Sequence, residues 1–300
     1  MNIGILIPLC SRNQKWTEII HIDFFKFVLP SFYRTISNKH NYRFYLAIDE
    51  NDKFLIKNID LIKMRLHSTD KIFIMDKKLN GNPYGIWSEL LREAMKDDNK
   101  YFYQLGSDIV HITKNWDDYY IKILKKNDNI GITGGIDKSF WLERINKYQN
   151  GILENVFFHR SHYEIFNNFM NPKFKTWYGD DYISQLYREV NRCFICPNFL
   201  YCNANRVGGH NENNRYEPST EMESIWKSEA LRESKKIILY IKLKKKIKIC
   251  FIILYKMSMP IDSQVETSDP KMQSVSYRTI LPEGKTSDYS PGQRIDYKIN

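Results

Sequence analysis

Acidic side chains that directly follow predicted strands are the residues in this sequence best suited to chemistry. Asp49 ends the run YRFYLAID, and Asp108 follows YFYQLGS, in which Gly106 and Ser107 turn the chain. Carboxylates repel each other and are costly to bury, so grouping them requires a compensating partner. A divalent metal can bind carboxylate oxygens while a phosphorylated ligand completes its coordination shell. These residues predict a metal and phosphate site, although Asp108 alone could simply start a turn.

A second acidic pair lies in the segment TWYGDDYISQLY. Asp180 and Asp181 precede Ile183, Leu186 and Tyr187, which recur at helical spacing. One aspartate could cap this helix while the other favours its positive end. One of them could also face a cleft and accept a proton from a substrate. Both interpretations can hold together, and Asp181 is favoured for the cleft because it is the second acid before the helix.

Three cysteines and a histidine near residue 200 could form a zinc site. They are Cys193, Cys196, Cys202 and His210. A single C-x2-C pair lacks the second pair that makes zinc sites convincing. The segment also alternates as a strand does, so ordinary core cysteines are the favoured interpretation.

Two shorter motifs allow both a functional and a structural interpretation. His159 and His162 in FFHRSHYEIF are three residues apart, which suits a metal pair on a helix. The alternative, which we favour, is that one packs in the core and the other is exposed. Gly134 and Gly135 in ITGGID lie where a loop could approach an acceptor molecule, or they form a plain tight turn.

Strands and helices alternate along the first part of the chain, and they must position these side chains. Thr17 is expected to cap the first helix and Pro30 to end it. Strands are predicted at residues 2–9, 42–52, 71–76, 101–105 and 129–135, and helices at 17–30, 53–66, 82–97 and 117–126. This alternation predicts an α/β fold with a mostly parallel central sheet flanked by helices on both faces. Ligands of such folds bind at the carboxyl ends of the strands, where Ser11, Arg12, Asp49 and Asp108 would lie.

The positive charge of the chain is concentrated in one segment. The net charge is +10, and residues 235–256 hold eight lysines and no acid. This concentration argues against a nucleic-acid-binding core. It predicts that residues 235–256 bind an anionic membrane surface, with a helix or strand covered by a protein partner as the equally weighted alternative. We therefore predict a globular domain at 1–220, a charged helix and lysine-rich apolar segment at 221–256, and a disordered tail at 257–300.

Cysteine usage and the amino-terminal residues predict a cytoplasmic location. Five cysteines, an odd number, do not suggest a disulfide framework. MNIGILIPL lacks a basic leader and a cleavage site, so no signal peptide is expected. Lysines interrupt the apolar segment at 237–255, which favours peripheral contact with a membrane over a span.

Taken in order, several of these motifs resemble one enzyme family. The sequence ILIPLCSRN, LAIDEND, YFYQLGSDI and FKTWYGDDYISQLYR, with NIGITGG and VFFHRSHYEIF between the last two, is similar to nucleotide-sugar glycosyltransferases of the GT-A type, in a viral and eukaryotic group. The likeness covers about residues 1–220. It implies a GT-A-like fold and a hexosyltransferase-type activity. The donor would be a UDP-sugar, and the acceptor a hydroxyl of a glycan, a protein or a lipid-linked molecule.

The resemblance also implies roles for single residues. Pro8, Ser11 and Asp49 would hold the base and ribose of the donor, and Arg12 its diphosphate, although Arg12 could equally be a surface residue. Ser107 and Asp108 would contact the diphosphate. Asp108 would bind Mn²⁺ or Mg²⁺, with His210 as a later metal ligand.

On the acceptor side, the resemblance implies that Asp181 or Asp180 acts as general base if the enzyme inverts the anomeric configuration. Gly134, Gly135 and Trp177 would border the acceptor.

One departure from the family pattern concerns the metal. Relatives often have two adjacent acids after the glycine, where this chain has Ser107 and Asp108. A hydroxyl is a weaker metal ligand than a carboxylate, so Ser107 argues against a high metal affinity. The departure motivates an alternative function, a catalytically silent nucleotide-sugar-binding domain that docks to a membrane or partner through its lysine-rich segment.

Overall fold

The strands of this protein form one mixed sheet around which the helices pack. The computed structural model describes residues 1–11, 14–138, 151–204 and 220–258. Within these ranges the strands lie in the order β3-β2-β1-β4-β7-β6-β8-β5. They are β1 (Asn2–Leu9), β2 (Asn41–Asp49), β3 (Lys71–Met75), β4 (Tyr101–Gln104), β5 (Ile109–His111), β6 (Ile132–Asp137), β7 (Val156–His159) and β8 (Cys193–Asn203).

The helices connect these strands and continue beyond them. They are α1 (Leu29–Thr35), α2 (Lys53–Lys57), α3 (Ile59–Lys63), α4 (Pro83–Ala94), α5 (Trp116–Lys126), α6 (Ser161–Phe166), α7 (Gly179–Arg188) and α8 (Thr220–Ser258). Of the strand pairings in the described part of the chain, β1–β2, β1–β4, β2–β3 and β6–β8 are parallel. The pairings β4–β7, β5–β8 and β6–β7 are antiparallel.

Each face of the sheet carries its own hydrophobic core, because successive side chains of a strand point to opposite faces. Ile5 and Ile7 of β1 pack with Phe32 of α1 on one face. Leu6 packs on the other face with Leu90 of α4, in the same cluster as Tyr187 of α7. The predicted α/β fold, with a mostly parallel sheet and helices on both faces, is confirmed.

Two predicted helices differ from the structure. Residues 17–30 form a 3-10 turn at Ile19–His21 and a π-helical segment at Phe24–Val28, and Pro30 lies in the first turn of α1 instead of ending a helix. Proline is tolerated there because the first-turn N–H groups have no intrahelical acceptor. The predicted helix at 53–66 is divided at Asn58 into α2 and α3.

The chain divides into two compact units, Met1–Cys250 and Phe251–Asn300. In the first unit α8 joins the core through Ala230 and Ile237, which are both fully buried. The domain boundary at residue 220 stays a prediction. The predicted tail at 257–300 lies outside the described residues, apart from the last two residues of α8. None of the described helices combines the length and the apolar composition that a membrane crossing requires.

Candidate active site

A cavity opens at the carboxyl ends of β1 and β2. It has a volume of about 290 Å³, and its lining includes Cys10, Ser11, Asp49, Asn51, Lys53, Phe54 and Asn80. The parallel pairing of β1 with β2 brings Pro8 and Leu9 opposite Ala47 and Ile48, so the residues that follow the two strands meet at one edge. The predicted donor residues Ser11 and Asp49 therefore share one cavity, with Pro8 in the adjoining strand.

Asp52 fixes the shape of this cavity. Its carboxylate accepts hydrogen bonds from the backbone N–H of Ser11 at 2.7 Å and from the Ser11 hydroxyl at 2.6 Å. It also accepts the N–H of Leu55 at 3.0 Å and so caps α2. One carboxylate thus ties the chain leaving β1 to the helix that follows β2. The neighbouring acid Glu50 instead accepts the N–H of Lys77 at 3.1 Å.

The turn after β4 is held by two asparagines from distant parts of the chain. Gly106 donates its N–H to Oδ1 of Asn155 at 3.1 Å. Asn203, at the end of β8, donates its side-chain amide to Oδ2 of Asp108 at 2.9 Å. The carbonyl of Asp108 accepts the N–H of Ala204 at 2.6 Å. Ser107, between Gly106 and Asp108 in the sequence, is partly exposed at this end of β4.

These residues do not by themselves make up a metal site. Among the described residues, no group of three or more histidine, cysteine, aspartate or glutamate side chains is placed to hold a metal ion. Asp108 has one oxygen committed to Asn203, and Ser107 offers a hydroxyl and not a second carboxylate. Two predicted contributors, Arg12 and His210, lie outside the described residues. The metal therefore stays a prediction.

The acidic pair lies in the first turn of α7, after Gly179, and contacts the amino-terminal turn of α4. The Tyr84 hydroxyl donates to Oδ1 of Asp180 at 2.9 Å. Burial and the nearby Asp180 carboxylate raise the pKa of Tyr84 well above its usual value, so the phenol keeps its proton. Asp181 is 8% exposed and lies beside Asp180 in the first turn of α7. A Cβ atom on Gly179 would lie 2.2 Å from the Tyr84 ring, so only glycine allows α7 to begin this close to α4.

The contact with α4 places the start of α7 at the same edge of the sheet as the cavity. The Leu6 carbonyl of β1 accepts the N–H of Leu105 at 3.1 Å and the Trp87 indole N–H at 3.1 Å. Asn80 lines the cavity, and α4 begins three residues later at Pro83, so Tyr84 in its first turn lies near this edge. The structure therefore brings Ser11, Asp108 and Asp180 to one edge.

The residues expected on the acceptor side lie in two different places. Gly134 and Gly135 are buried within β6, and a Cβ on Gly135 would lie 2.1 Å from the Phe199 carbonyl oxygen. A Cβ on Gly134 would lie 2.5 Å from the Asn155 carbonyl oxygen. These contacts explain both glycines through close backbone packing. Trp177 is 37% exposed, two residues before α7.

The histidines and cysteines have structural environments. His162 is buried, and its two ring nitrogens contact the Tyr187 hydroxyl at 2.7 Å and the Phe169 carbonyl at 2.8 Å. Burial lowers its pKa to about 4. His159 ends β7 and is partly exposed. Cys196 is buried in β8, within 3.2 Å of the Thr133 hydroxyl, as the core interpretation predicts.

Sequence reasoning did not identify Asn155 and Asn203 as residues of the site. Each lies at a strand terminus, but an asparagine at such a position is common in turns and carries no specific signal. Their contacts with residues 106–108 join segments 49 and 95 residues apart. Only the pairing of β4 with β7 and of β5 with β8 reveals them.

Comparisons with known proteins give matches among solved structures alone. No protein-family model and no curated protein matches this chain. S. aureus TarS 1-349 in complex with UDP is 11% identical, with a TM-score of 0.46, over 67% of this chain and 59% of that chain. The TarS 1-349 complex with UDP-GlcNAc is 10% identical, with a TM-score of 0.45, over 67% and 57%. This chain thus covers less than two thirds of either structure, and a similarity of this size does not identify a substrate.

Proposed function

We propose that this protein is a GT-A-like glycosyltransferase that moves a sugar from a UDP-sugar to an acceptor hydroxyl. The proposal rests mainly on the cavity at the ends of β1 and β2, which shares the carboxyl edge of the sheet with the turn that carries Asp108. Nucleotides bind α/β folds at this edge. The acceptor is a glycan, a protein or a lipid-linked molecule.

The cavity residues offer the groups that a nucleotide diphosphate needs. Phe54 provides an aromatic face for the base, and its ring is 6.3 Å from that of Trp16. Asp49 and Asn51 provide acceptors for ribose hydroxyls. Lys53 provides a positive charge for the diphosphate. Asp52 is assigned to positioning, because its carboxylate already accepts three hydrogen bonds from Ser11 and Leu55.

The transfer step requires a base and a stabilised leaving group. In an inverting reaction the acceptor oxygen attacks the anomeric carbon, the bond from that carbon to the phosphate oxygen breaks, and the acceptor proton passes to Asp181 or Asp180. Lys53, and Arg12 beyond the described residues, would offset the negative charge on the departing diphosphate. No step is assigned to Mn²⁺ or Mg²⁺, for which the described residues do not form a site.

Two measurements on the purified full-length chain test the proposal. UDP binding is measured by titration calorimetry, and UDP release is measured with a panel of nucleotide sugars, with and without Mn²⁺ or Mg²⁺. Asp49→Asn is expected to weaken UDP binding at least about tenfold, the effect of one lost charge-assisted hydrogen bond. Asp60→Asn is the matched control, since Asp60 is exposed on α3, where it pairs with Lys63. Absence of both UDP binding and UDP release would refute the proposal.

The catalytically silent donor-binding domain is the second candidate. Ser107 favours it, because this hydroxyl stands where relatives often have a carboxylate. The variant Ser107→Asp separates the two functions. A large gain of metal-dependent turnover in the variant would support an impaired natural site. Equal high turnover in both forms would exclude the silent domain.

A further inference from the structure

The carboxyl-terminal part of α8 within the first unit is exposed and strongly basic. The helix is anchored by Ala230, Ser234 and Ile237, which are buried against the core. From residue 242 to residue 250 every side chain is exposed. Five of these nine residues are lysines and none is acidic. This stretch therefore contains no carboxylate that could neutralise its five lysines.

An apolar stripe runs along the same stretch. Leu239, Leu243, Ile247 and Cys250 follow each other at intervals of four, four and three residues, so they share one face of the helix. Leu239, Leu243 and Ile247 are 58%, 50% and 54% exposed. The lysines, with the exposed Ile249 among them, lie around the rest of the circumference. Exposed apolar side chains in a contiguous row mark an interaction surface.

We propose that α8 docks this protein on the surface of an anionic lipid bilayer. The apolar stripe would enter the boundary between headgroups and acyl chains, with the helix lying in the plane of the membrane. Lysine side chains on both flanks can extend their ammonium groups to anionic headgroups while their methylene stems stay in apolar surroundings. The lysines themselves prevent the helix from crossing the bilayer, consistent with the finding that no described helix could span a membrane.

Charge and apolarity together favour lipid over two other partners. A second copy that docked through the same segment would place lysines against lysines, since residues 235–256 have no acid to offer. A nucleic acid would neutralise the lysines but leave Leu243 and Ile247 in water. An anionic bilayer matches both features.

The second unit begins with side chains of the same character. Phe251, Ile252, Ile253, Leu254 and Tyr255 are each at least 49% exposed. They follow the lysines directly in the sequence.

The test is co-sedimentation of the full-length protein with lipid vesicles. We expect binding to phosphatidylcholine vesicles that contain phosphatidylserine and little binding to vesicles of phosphatidylcholine alone. Added salt should weaken the binding, because surface charges are screened. Equal binding to both types of vesicle would overturn the charge-based docking.

Two variants and a matched control locate the surface. The charge variant replaces five lysines by glutamine, at Lys242, Lys244, Lys245, Lys246 and Lys248. The control makes the same replacement at five exposed lysines elsewhere, at Lys57, Lys114, Lys122, Lys125 and Lys126. The charge variant is expected to lose at least about 100-fold in vesicle partitioning, and the control much less. The stripe variant, Leu243→Ser with Ile247→Ser, is expected to lose at least about tenfold.

Three outcomes would contradict the proposal. The first is an equal loss in the control variant, which would assign binding to net charge alone. The second is a duplex RNA that binds the protein as tightly as the anionic vesicles and loses binding in the charge variant. The third is self-association of the free protein, measured by sedimentation velocity, that the stripe variant abolishes. Circular dichroism of each variant checks that the fold is retained.

Discussion

At the residue scale, the proposed donor site depends on side chains that hold other parts of the site in place. Asp52 joins the exit of β1 to the start of α2 through three hydrogen bonds. Asn155 and Asn203 hold the turn around Ser107 in the same manner. Substitutions at such positions should alter binding through the shape of the cavity.

The first prediction concerns Asp52. Asp52→Ala removes a helix cap and both bonds to Ser11, so the free energy of unfolding should fall by about 1–2 kcal/mol and UDP binding should weaken. Urea unfolding and calorimetry measure the two effects. Asp60→Ala is the control, since Asp60 is exposed and its ion pair with Lys63 contributes little. If the two variants behaved alike, the positioning role of Asp52 would be wrong.

The second prediction separates the two acids in the first turn of α7. Asp181→Asn should lower kcat at least about 100-fold, the usual contribution of a general base, and leave the UDP dissociation constant unchanged. Asp180→Asn should have a smaller effect on kcat, because the Asp180 carboxylate is engaged by Tyr84. Steady-state kinetics and calorimetry measure both quantities. A larger loss of kcat in Asp180→Asn than in Asp181→Asn would assign the base to Asp180. Normal turnover in both variants would show that neither acid is the base.

At the element scale, β6 shows how close packing limits side-chain choice. Its pairing with β8 shifts register between Gly134 and Ile136, where the chain comes very close to neighbouring carbonyls. The two glycines are therefore sufficiently explained by packing. Their predicted role at the acceptor remains untested.

The third prediction follows from this contact. In Gly135→Ala, the new methyl group would meet the Phe199 carbonyl oxygen at 2.1 Å, so β6 and β8 must separate. The free energy of unfolding should fall by at least about 2 kcal/mol. Gly81→Ala is the comparison, because a Cβ there has open space and only the positive φ is strained. Equal stability losses in urea unfolding would contradict the packing explanation.

At the scale of the whole molecule, the buried His111 and His162 and the partly exposed His159 couple the stability of the fold to pH. Burial lowers the pKa of His111 to about 3, and burial is also the main cause that lowers the pKa values of His159 and His162 to about 4. In the unfolded chain the pKa of histidine is near 6.5. Below that pH the unfolded state binds more protons than the folded state. Stability from these groups is therefore complete above pH 6.5 and is lost as the pH falls toward 4.

The fourth prediction gives this coupling a magnitude. A fully buried histidine such as His162 should contribute a slope of about 1.4 kcal/mol per pH unit between its two pKa values. His162→Gln should reduce the pH dependence of the unfolding free energy between pH 6.5 and 4, measured by urea unfolding. The exposed His67 provides the matched control His67→Gln. Identical slopes in the two variants would contradict the prediction.

The sequence predicted most elements but not their boundaries or their neighbours. β1, β2 and α4 follow from local apolar periodicity, which a single chain displays directly. The predictions of one helix at 53–66 and of a helix end at Pro30 were wrong. Apolar periodicity does not reveal a break at Asn58, and a proline suits the first turn of a helix as well as its end. The insertion of antiparallel β7 between β4 and β6 has no local signal.

The sequence by itself determined the α/β class, the acids after the strands and the lysine-rich segment, because each is a property of neighbouring residues. The tertiary structure alone decided which of these residues meet. Ser11 and Asp52 are 41 residues apart, and Tyr84 and Asp180 are 96 apart. Apolar periodicity determines which face of an element is buried, but strand order and helix packing determine what that face contacts.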